Sequence, residues 1–243
     1  MKSQLFMIVI CLLGLELPRI SSQDRPSQDP SPRVLTATDF RDGTANAGDG
    51  TEAVTFLIEI SPKLPPYKIR VIPDLTSYDA PEGYEGPNHA GRIVIQNSSS
   101  KPQVIEVEAF TLVNRLVHFF KAEDINFDGY LDLAVLVEYG AKWGRYQYWL
   151  FDKKSGRFVS NSLTRRLGRL TYNTIDLDPK AQEITLGFYL GVCAQSETYR
   201  VLSRTLLLTA REERECVPDG TRVRLKRRIH GKWRLIKTEV EKF

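Results

Sequence analysis

The sequence predicts an all-β fold. Segments of four to nine residues rich in Val, Ile, Leu, Phe and Tyr recur along the chain, separated by Gly, Pro, Asn and Asp. Regularly spaced short segments of this kind are typical of an antiparallel all-β domain. No stretch keeps a long 3.6-residue period, although SNSLTRRLGRLTY is compatible with one short helix.

Residues 1–22 have the pattern of a secretory signal peptide. Lys2 precedes an apolar run from Leu5 to Leu15, and Ser21 and Ser22 offer small residues for cleavage. This run is shorter than the roughly 20 residues that a transmembrane helix needs, and no later run approaches that length. We therefore expect a periplasmic or secreted protein without a transmembrane segment, and a retained N-terminal anchor is the alternative.

Residues 23–51 are rich in Pro, Ser, Asp and Gly and contain few large apolar side chains. Such a segment buries too little surface to offset the entropy of ordering, so we interpret it as a disordered leader. Residues 52–243 are long enough for a single all-β domain. The formal net charge of +4 is mildly basic and does not indicate a nucleic-acid binder.

Two cysteines, Cys193 and Cys216, remain after the signal peptide, since Cys11 lies within it. In an oxidising compartment an even pair predicts a disulfide, which would stabilise the fold by about 3 kcal/mol. Two reduced, buried cysteines are the alternative.

Two tight turns predict hairpins. One is at Lys154-Ser155-Gly156, between WLFD and RFV, and the other is at His230-Gly231, between RLKRRI and KWRLIK.

The stretch DINFDGYLD, residues 124–132, places oxygen-bearing residues at alternate positions. They are Asp124, Asn126, Asp128 and Asp132, with Gly129 at the sixth position. Two carboxylates about 5 Å apart repel by roughly 3 kcal/mol at an effective dielectric near 20, so a positive charge is expected among them. Oxygen ligands at this spacing, with the backbone carbonyl of Tyr130 at the seventh position, predict a Ca²⁺ site.

An EF-hand is excluded, because its loop needs a bidentate Glu at position twelve, where this chain has Val135, and helices on both sides. Alternating apolar residues after the loop predict a strand–loop–strand site of the FG-GAP or integrin type. An Asx-rich turn without metal is the alternative.

Residues 122–159, which contain NFDGYLDL, YWLFD and SGRFV, resemble a known family. The family comprises the calcium-binding periplasmic immunity proteins of Xanthomonas and related bacteria, which inhibit lysozyme-like peptidoglycan hydrolases delivered into rival cells by type IV secretion. Weaker similarity extends to GRIVIQN and to the later strands. The long leader and the basic C-terminal hairpin have no counterpart in the resemblance.

The resemblance implies an imperfect β-propeller-like domain and a calcium site at Asp124, Asn126, Asp128, Tyr130 and Asp132. It also implies an inhibitor that acts outside the cytoplasmic membrane, in which a loop near residues 138–148 reaches toward the hydrolase.

The segment EYGAKWGRYQY, residues 138–148, is the candidate partner-binding loop. Tyr, Trp and Arg dominate interface hot spots, so we expect Trp143, Arg145, Tyr146 and Tyr148 to contact the partner. The alternative is that Tyr148 or Trp149, on opposite faces of a strand, belongs to the core. The basic run from Arg222 to Lys237 alternates with apolar residues and is interpreted as a solvated outer face of a sheet.

Catalysis is not indicated. The histidines are His89, His118 and His230, and the chain lacks a Gly-x-Ser-x-Gly, His-Glu-x-x-His or phosphate-binding glycine motif. We therefore expect a non-enzymatic inhibitor of a peptidoglycan hydrolase that is a monomer or a weak dimer. The alternative is a calcium-stabilised adhesion or glycan-binding module without inhibitory activity.

Overall fold

The computed structural model describes residues 34–41, 53–73, 88–98, 101–111, 120–140, 143–190 and 193–242. The predicted signal peptide, most of the predicted leader, His118 and the side chain of Cys193 lie outside the described residues. The predicted signal peptide and disulfide therefore remain predictions.

The described strands form three sheets that follow one another along the chain. Sheet 1 has the order β1-β2-β3-β4-β5 and consists of β1 (Val34–Leu35), β2 (Val54–Ile58), β3 (Tyr67–Pro73), β4 (Asn88–Gln96) and β5 (Gln103–Thr111). Sheet 2 has the order β10-β8-β7-β6 and consists of β6 (Phe120–Glu123), β7 (Asp132–Gly140), β8 (Trp143–Asp152) and β10 (Thr171–Tyr172), with β9 (Arg157–Val159) also paired to β8.

Sheet 3 is a six-stranded meander that contains the longest described strands. Its strands are β11 (Thr174–Asp178), β12 (Glu183–Leu190), β13 (Cys193–Leu202), β14 (Thr205–Val217), β15 (Gly220–Ile229) and β16 (Lys232–Lys242). Neighbouring strands of all three sheets are antiparallel, except that β1 runs parallel to β2.

Sheet 1 is buried on one face only, as the alternation of its residues requires. In β2 the side chains of Val54, Phe56 and Ile58 are buried, whereas Thr55 between them is exposed. The buried face packs against sheet 2, since both sheets contribute to one apolar cluster.

Sheet 2 is buried on both faces and lies between the other two sheets. Leu133, Val135 and Val137 belong to the cluster shared with sheet 1. Ala134 and Tyr148 belong to a second cluster, which is shared with sheet 3 and helix α2 (Ser162–Leu167). A strand covered on both faces needs apolar residues at consecutive positions, which explains the uninterrupted run LAVLV.

The all-β class is confirmed. No closed barrel or ring of propeller blades is found among the described strands, which instead form three stacked sheets. The short helix predicted in SNSLTRRLGRLTY is confirmed as α2, whose N-terminus is capped by the Asn161 side chain.

Both predicted hairpin turns are confirmed. Gly156, with φ of 65°, lies between β8 and β9. His230 and Gly231, with φ of 48° and 77°, form the two-residue connection of β15 and β16. Two successive left-handed residues are the signature of a type I′ turn, which matches the twist of the flanking strands.

The predicted leader is wrong for residues 34–41, which are ordered parts of the domain. Leu35 of β1 and Phe40 of helix α1 (Ala37–Arg41) are buried, and the Phe40 ring lies 6.0 Å from that of Phe120. Asp39 accepts hydrogen bonds from the backbone N–H and the hydroxyl of Thr36, the residue before α1, as in one half of a capping box. Two buried apolar side chains and these hydrogen bonds order a segment whose overall composition is polar.

We expect Phe40→Ala to lower the free energy of unfolding by about 3 kcal/mol, because a buried ring in contact with Phe120 is lost. Urea denaturation of the two proteins measures the difference. Val34→Ala, at a partly exposed position of β1, is the control and should change stability little. If the urea midpoint of Phe40→Ala equals that of the parent, residues 34–41 do not contribute to the core and belong to the predicted leader.

Candidate metal centre

The acidic loop connects β6 to β7 and therefore lies at the edge of the central sheet. Strand alternation ends at Glu123 and resumes at Asp132, in agreement with the predicted strand–loop–strand arrangement. Phe127 and Gly129 have φ of 60° and 85°, so the loop reverses direction within a few residues. At Gly129 a Cβ would meet no atom within 4 Å, so the positive φ, and not space, favours glycine there.

The side-chain oxygens of the loop accept hydrogen bonds from the loop's own backbone. The carboxylate of Asp124 accepts the N–H groups of Asp128 and Gly129, with distances of 3.0 and 2.8 Å. The Asn126 side chain also accepts the Asp128 N–H, and the Asp128 carboxylate accepts the Tyr130 N–H at 3.1 Å. These contacts bring Asp124, Asn126 and Asp128 together around one turn of backbone, as in a series of Asx turns.

Asp132 differs from the other loop carboxylates because it is buried, with 1% of its surface exposed. One oxygen accepts the N–H of Ile125 at 3.0 Å, and the other accepts the N–H of Phe151 in β8 at 2.8 Å. Two buried backbone donors therefore account for the inward position of Asp132 without a bound ion.

The loop also contacts sheet 1. The Leu131 N–H donates to the Ile60 carbonyl at 2.9 Å, just after β2. The Tyr130 ring stacks on Phe151, with centroids 5.3 Å apart. The loop therefore joins sheet 1 to the central sheet through residues next to Asp132.

The electrostatics of the loop agree with the predicted repulsion among its carboxylates. Burial raises the pKa of Asp132 well above its ordinary value, and the charges of Asp128 and Asp124 raise it further against the opposing effect of the two N–H bonds. Burial also raises the pKa of Asp124, and the hydrogen bonds from Gly129 and Asp128 oppose this shift. A cation close to these groups would favour their charged forms.

The donor types fit a hard cation such as Ca²⁺, since every candidate ligand is an oxygen. Among the described residues, however, no three His, Cys, Asp or Glu side chains are grouped so as to hold a metal ion. The three aspartates of the loop thus point mainly at backbone N–H groups. The contacts agree with the Asx-turn alternative, and calcium binding remains a prediction.

Of the four residues predicted to bind a partner, Tyr148 is wrongly assigned. It is buried in the cluster between sheets 2 and 3, and its hydroxyl is hydrogen-bonded to that of Tyr172. Trp149, on the opposite face of β8, is also buried. Both tyrosine and tryptophan belong to the core because the central sheet is covered on both sides.

Tyr146 is half-buried and packs within the chain. Its ring stacks on Tyr172 with centroids 5.5 Å apart, and the Lys121 ammonium lies 4.4 Å from its centroid. Lys121 and Tyr172 were not singled out from the sequence, since their contact depends on the pairing of β6, β7, β8 and β10.

Trp143 and Arg145 remain accessible, near the start of β8. Trp143 is 39% exposed and Arg145 forms an ion pair with Glu138 across the β7–β8 ladder at 2.9 Å. Two glycines, Gly140 and Gly144, allow neighbouring side chains to pack closely in this hairpin. A Cβ at Gly140 would lie 2.4 Å from the Trp143 indole, and one at Gly144 would lie 2.9 Å from Leu136.

Comparison with known proteins gives a fold likeness. No protein-family model and no curated protein matches the sequence. Among solved structures the chain is similar to a Xanthomonas type IV secretion system related protein, with a TM-score of 0.58 and 18% sequence identity. The match covers 79% of this chain and 97% of that protein. At this identity the likeness shows a shared fold.

Neither of the helices in the described part of the chain, which have five and six residues, could cross a bilayer.

We expect Asp132→Ala to lower the free energy of unfolding by about 2–4 kcal/mol, because two buried N–H donors lose their acceptor. Asp178→Ala is the matched control. Asp178 also accepts two backbone N–H groups, at 2.9 and 3.0 Å, but it is exposed, so water can replace it. Chemical denaturation of both variants measures the difference, and equal, small losses would show that Asp132 does not join the loop to β8.

Proposed function

We propose that this chain is an exported calcium-binding protein that inhibits a peptidoglycan hydrolase. The observation that carries the proposal is the combination of two features in one chain. Its fold matches nearly the whole length of a Xanthomonas type IV secretion system related protein, and the loop at the edge of its central sheet has the D-x-N-x-D-G-x-x-D spacing. Proteins associated with such systems include inhibitors of hydrolases that act in the cell wall, as the sequence resemblance implies.

The oxygen atoms that would hold Ca²⁺ belong to Asp124, Asn126, Asp128 and Asp132 and to the Tyr130 carbonyl. The hydrogen bonds to Asp124 and Asn126 already bend the loop around these groups. Asp128 is exposed, so rotation of its side chain toward an ion disturbs no packed contact. Burial raises the pKa of Asp124 and of Asp132, and bound Ca²⁺ would favour the charged forms of both carboxylates.

The ion would stabilise the fold and take no part in a reaction. Because the loop contacts Ile60 and Phe151, its order affects the packing between sheet 1 and the central sheet. Binding to the folded chain adds its free energy to that of folding.

We expect Ca²⁺ at about one hundred times its dissociation constant to raise the melting temperature by about 5–10 °C, from a stabilisation of about 2.7 kcal/mol. Thermal melts in calcium and in chelator measure the shift. Asp128→Ala should abolish the shift, while Asp178→Ala should keep it. Identical melting temperatures for the parent in calcium and in chelator would support the Asx-turn alternative.

The surface that would meet the hydrolase lies at the start of β8 and on the facing residues of β7. Trp143 offers a large, rigid and accessible ring, and Arg145 is held in place by Glu138. Aromatic and arginine side chains of this kind dominate the affinity of protein interfaces. Tyr146 and Tyr148 would support this surface from within the sheet.

We expect the chain to slow clearing of a cell-wall suspension by at least one of a panel of c-type, g-type and phage-type lysozymes. Trp143→Ala should weaken inhibition by about tenfold or more without a change in melting temperature, as for a truncated interface hot spot. Trp233→Ala, at another exposed tryptophan, is the matched control and should inhibit like the parent.

Failure to inhibit or bind any hydrolase, together with binding to the polysaccharide itself, would instead favour a calcium-stabilised glycan-binding module. Equal loss of inhibition in both tryptophan variants would argue against the β7–β8 surface.

A further inference from the structure

The hairpin of β15 and β16 ends in a surface that is largely open to solvent, although the Arg211 guanidinium lies 5.4 Å from the centroid of the Trp233 ring. Every residue from Arg227 to Thr238 is exposed, on both faces of the hairpin. β16 also forms an edge of sheet 3 among the described strands. We call the residues from Arg227 to Leu235 the basic tip.

The hairpin carries a concentrated positive charge. Between Gly220 and Thr238 there are eight Lys and Arg residues and no Asp or Glu. Between Gly220 and Lys226, where β15 is paired to β14, this charge is compensated. Arg222 and Arg224 form ion pairs with Glu215, and Lys226 forms one with Glu213.

At the basic tip the positive charges are no longer compensated by acidic side chains. Arg227, Arg228, Lys232 and Arg234 form no ion pair with an acidic side chain of the described chain. Asp176 and Asp178 line a groove on the same side as Arg227, but neither pairs with it. Arg227 lies directly opposite Arg234 in the ladder, and like charges in that position destabilise a hairpin. Internal stability therefore does not explain these cations.

Apolar side chains alternate with the cations at the basic tip. Trp233 is 42% exposed and Leu235 is 60% exposed, and Ile229 beside the turn is also exposed. Trp233 lies opposite Arg228 in the ladder, and Ile229 lies opposite Lys232. Exposed apolar side chains and cations thus lie side by side at the basic tip, and these are the two kinds of group through which protein segments bind at the surface of an anionic bilayer.

Other occupants fit this pattern less well. A soluble polyanion accounts for the cations but leaves Trp233 and Leu235 in water. A second copy of the chain would bring another set of the same cations, which would repel the first. A bilayer interface offers phosphates beside hydrocarbon, so it satisfies both sets of side chains, with Lys and Arg stems extending toward the head groups.

We propose that the basic tip docks this protein on a membrane surface rich in anionic phospholipid. Trp233, Ile229 and Leu235 enter the interface, and Arg227, Arg228, Lys232 and Arg234 meet the lipid phosphates. This inference goes beyond the proposed function and depends neither on calcium nor on hydrolase binding.

The experiment measures binding of the chain from residue 23 onward to phosphatidylglycerol/phosphatidylcholine vesicles and to pure phosphatidylcholine vesicles, by co-sedimentation at physiological ionic strength. We expect binding to the anionic vesicles only, with a blue shift of tryptophan fluorescence. Binding should weaken steeply as salt is added, because it depends on exposed charges.

Two double variants with the same change in net charge provide the decisive comparison. Arg227→Gln with Arg234→Gln should weaken binding by roughly tenfold or more, since each cation near an anionic surface contributes about fivefold to affinity. Arg222→Gln with Arg224→Gln, which removes compensated cations, should change affinity less than about twofold. The blue shift should disappear in Trp233→Phe and persist in Trp143→Phe.

Several results would overturn the inference. These are no binding to anionic vesicles, equal binding to phosphatidylcholine, equal losses in the two double variants, or a blue shift that survives in Trp233→Phe. Tip-dependent binding to heparin, to an acidic protein or to a second copy of the chain, without vesicle binding, would assign the basic tip to that occupant.

Discussion

The buried carboxylate of Asp132 connects the acidic loop to β8, two segments that are not adjacent in the sequence. It accepts one N–H from the acidic loop and one from β8, so a single side chain fixes the loop against the central sheet. The loop in turn reaches sheet 1 through Leu131 and Ile60. An ionised carboxylate in this position is costly unless its oxygens are hydrogen-bonded, and the two backbone donors meet that condition. The packing of sheet 1 against sheet 2 at this edge depends on these hydrogen bonds.

The central sheet explains why most of the aromatic residues near the loop are structural. Tyr130 and Tyr67 both pack against Phe151, which lies beside Asp132 in space. On the opposite face, Tyr148 and Tyr172 bury their hydroxyl groups against each other, and burial raises the pKa of both. A phenol buried without a partner would lose a hydrogen bond to water, so the pair is a way to place two polar tips in a core. Among the described aromatic side chains of sheet 2 and the acidic loop, Trp143 is the one that stays exposed.

The elements that the sequence predicted well are those set by local rules. Alternation identified the strands, Gly156 and Gly231 marked two hairpins, and Gly129 marked the turn within the acidic loop. The elements it missed depend on pairing between distant segments. Nothing local to Asp132 indicates the Phe151 amide, whose place is set by the register of β7 against β8.

Burial of Tyr148 follows from the coverage of sheet 2 on both faces, for which the run LAVLV is the only local sign. Residues 34–41 were assigned to the leader because composition averages over a window, whereas Leu35 and Phe40 fill specific sites in the core.

The charges of the chain fall into two groups according to what compensates them. Asp132 and the strand cations Arg222, Arg224 and Lys226 are compensated within the chain, by backbone N–H groups or by Glu213 and Glu215. The pKa of Asp124 stays raised because burial outweighs the hydrogen bonds from Gly129 and Asp128, and the cations of the basic tip form no ion pair with a described acidic side chain. Charges that folding leaves uncompensated are costs to stability, and a bound ion or an opposing surface can offset them. The acidic loop and the basic tip are therefore where this fold is best suited to meet a cation and an anionic surface, respectively.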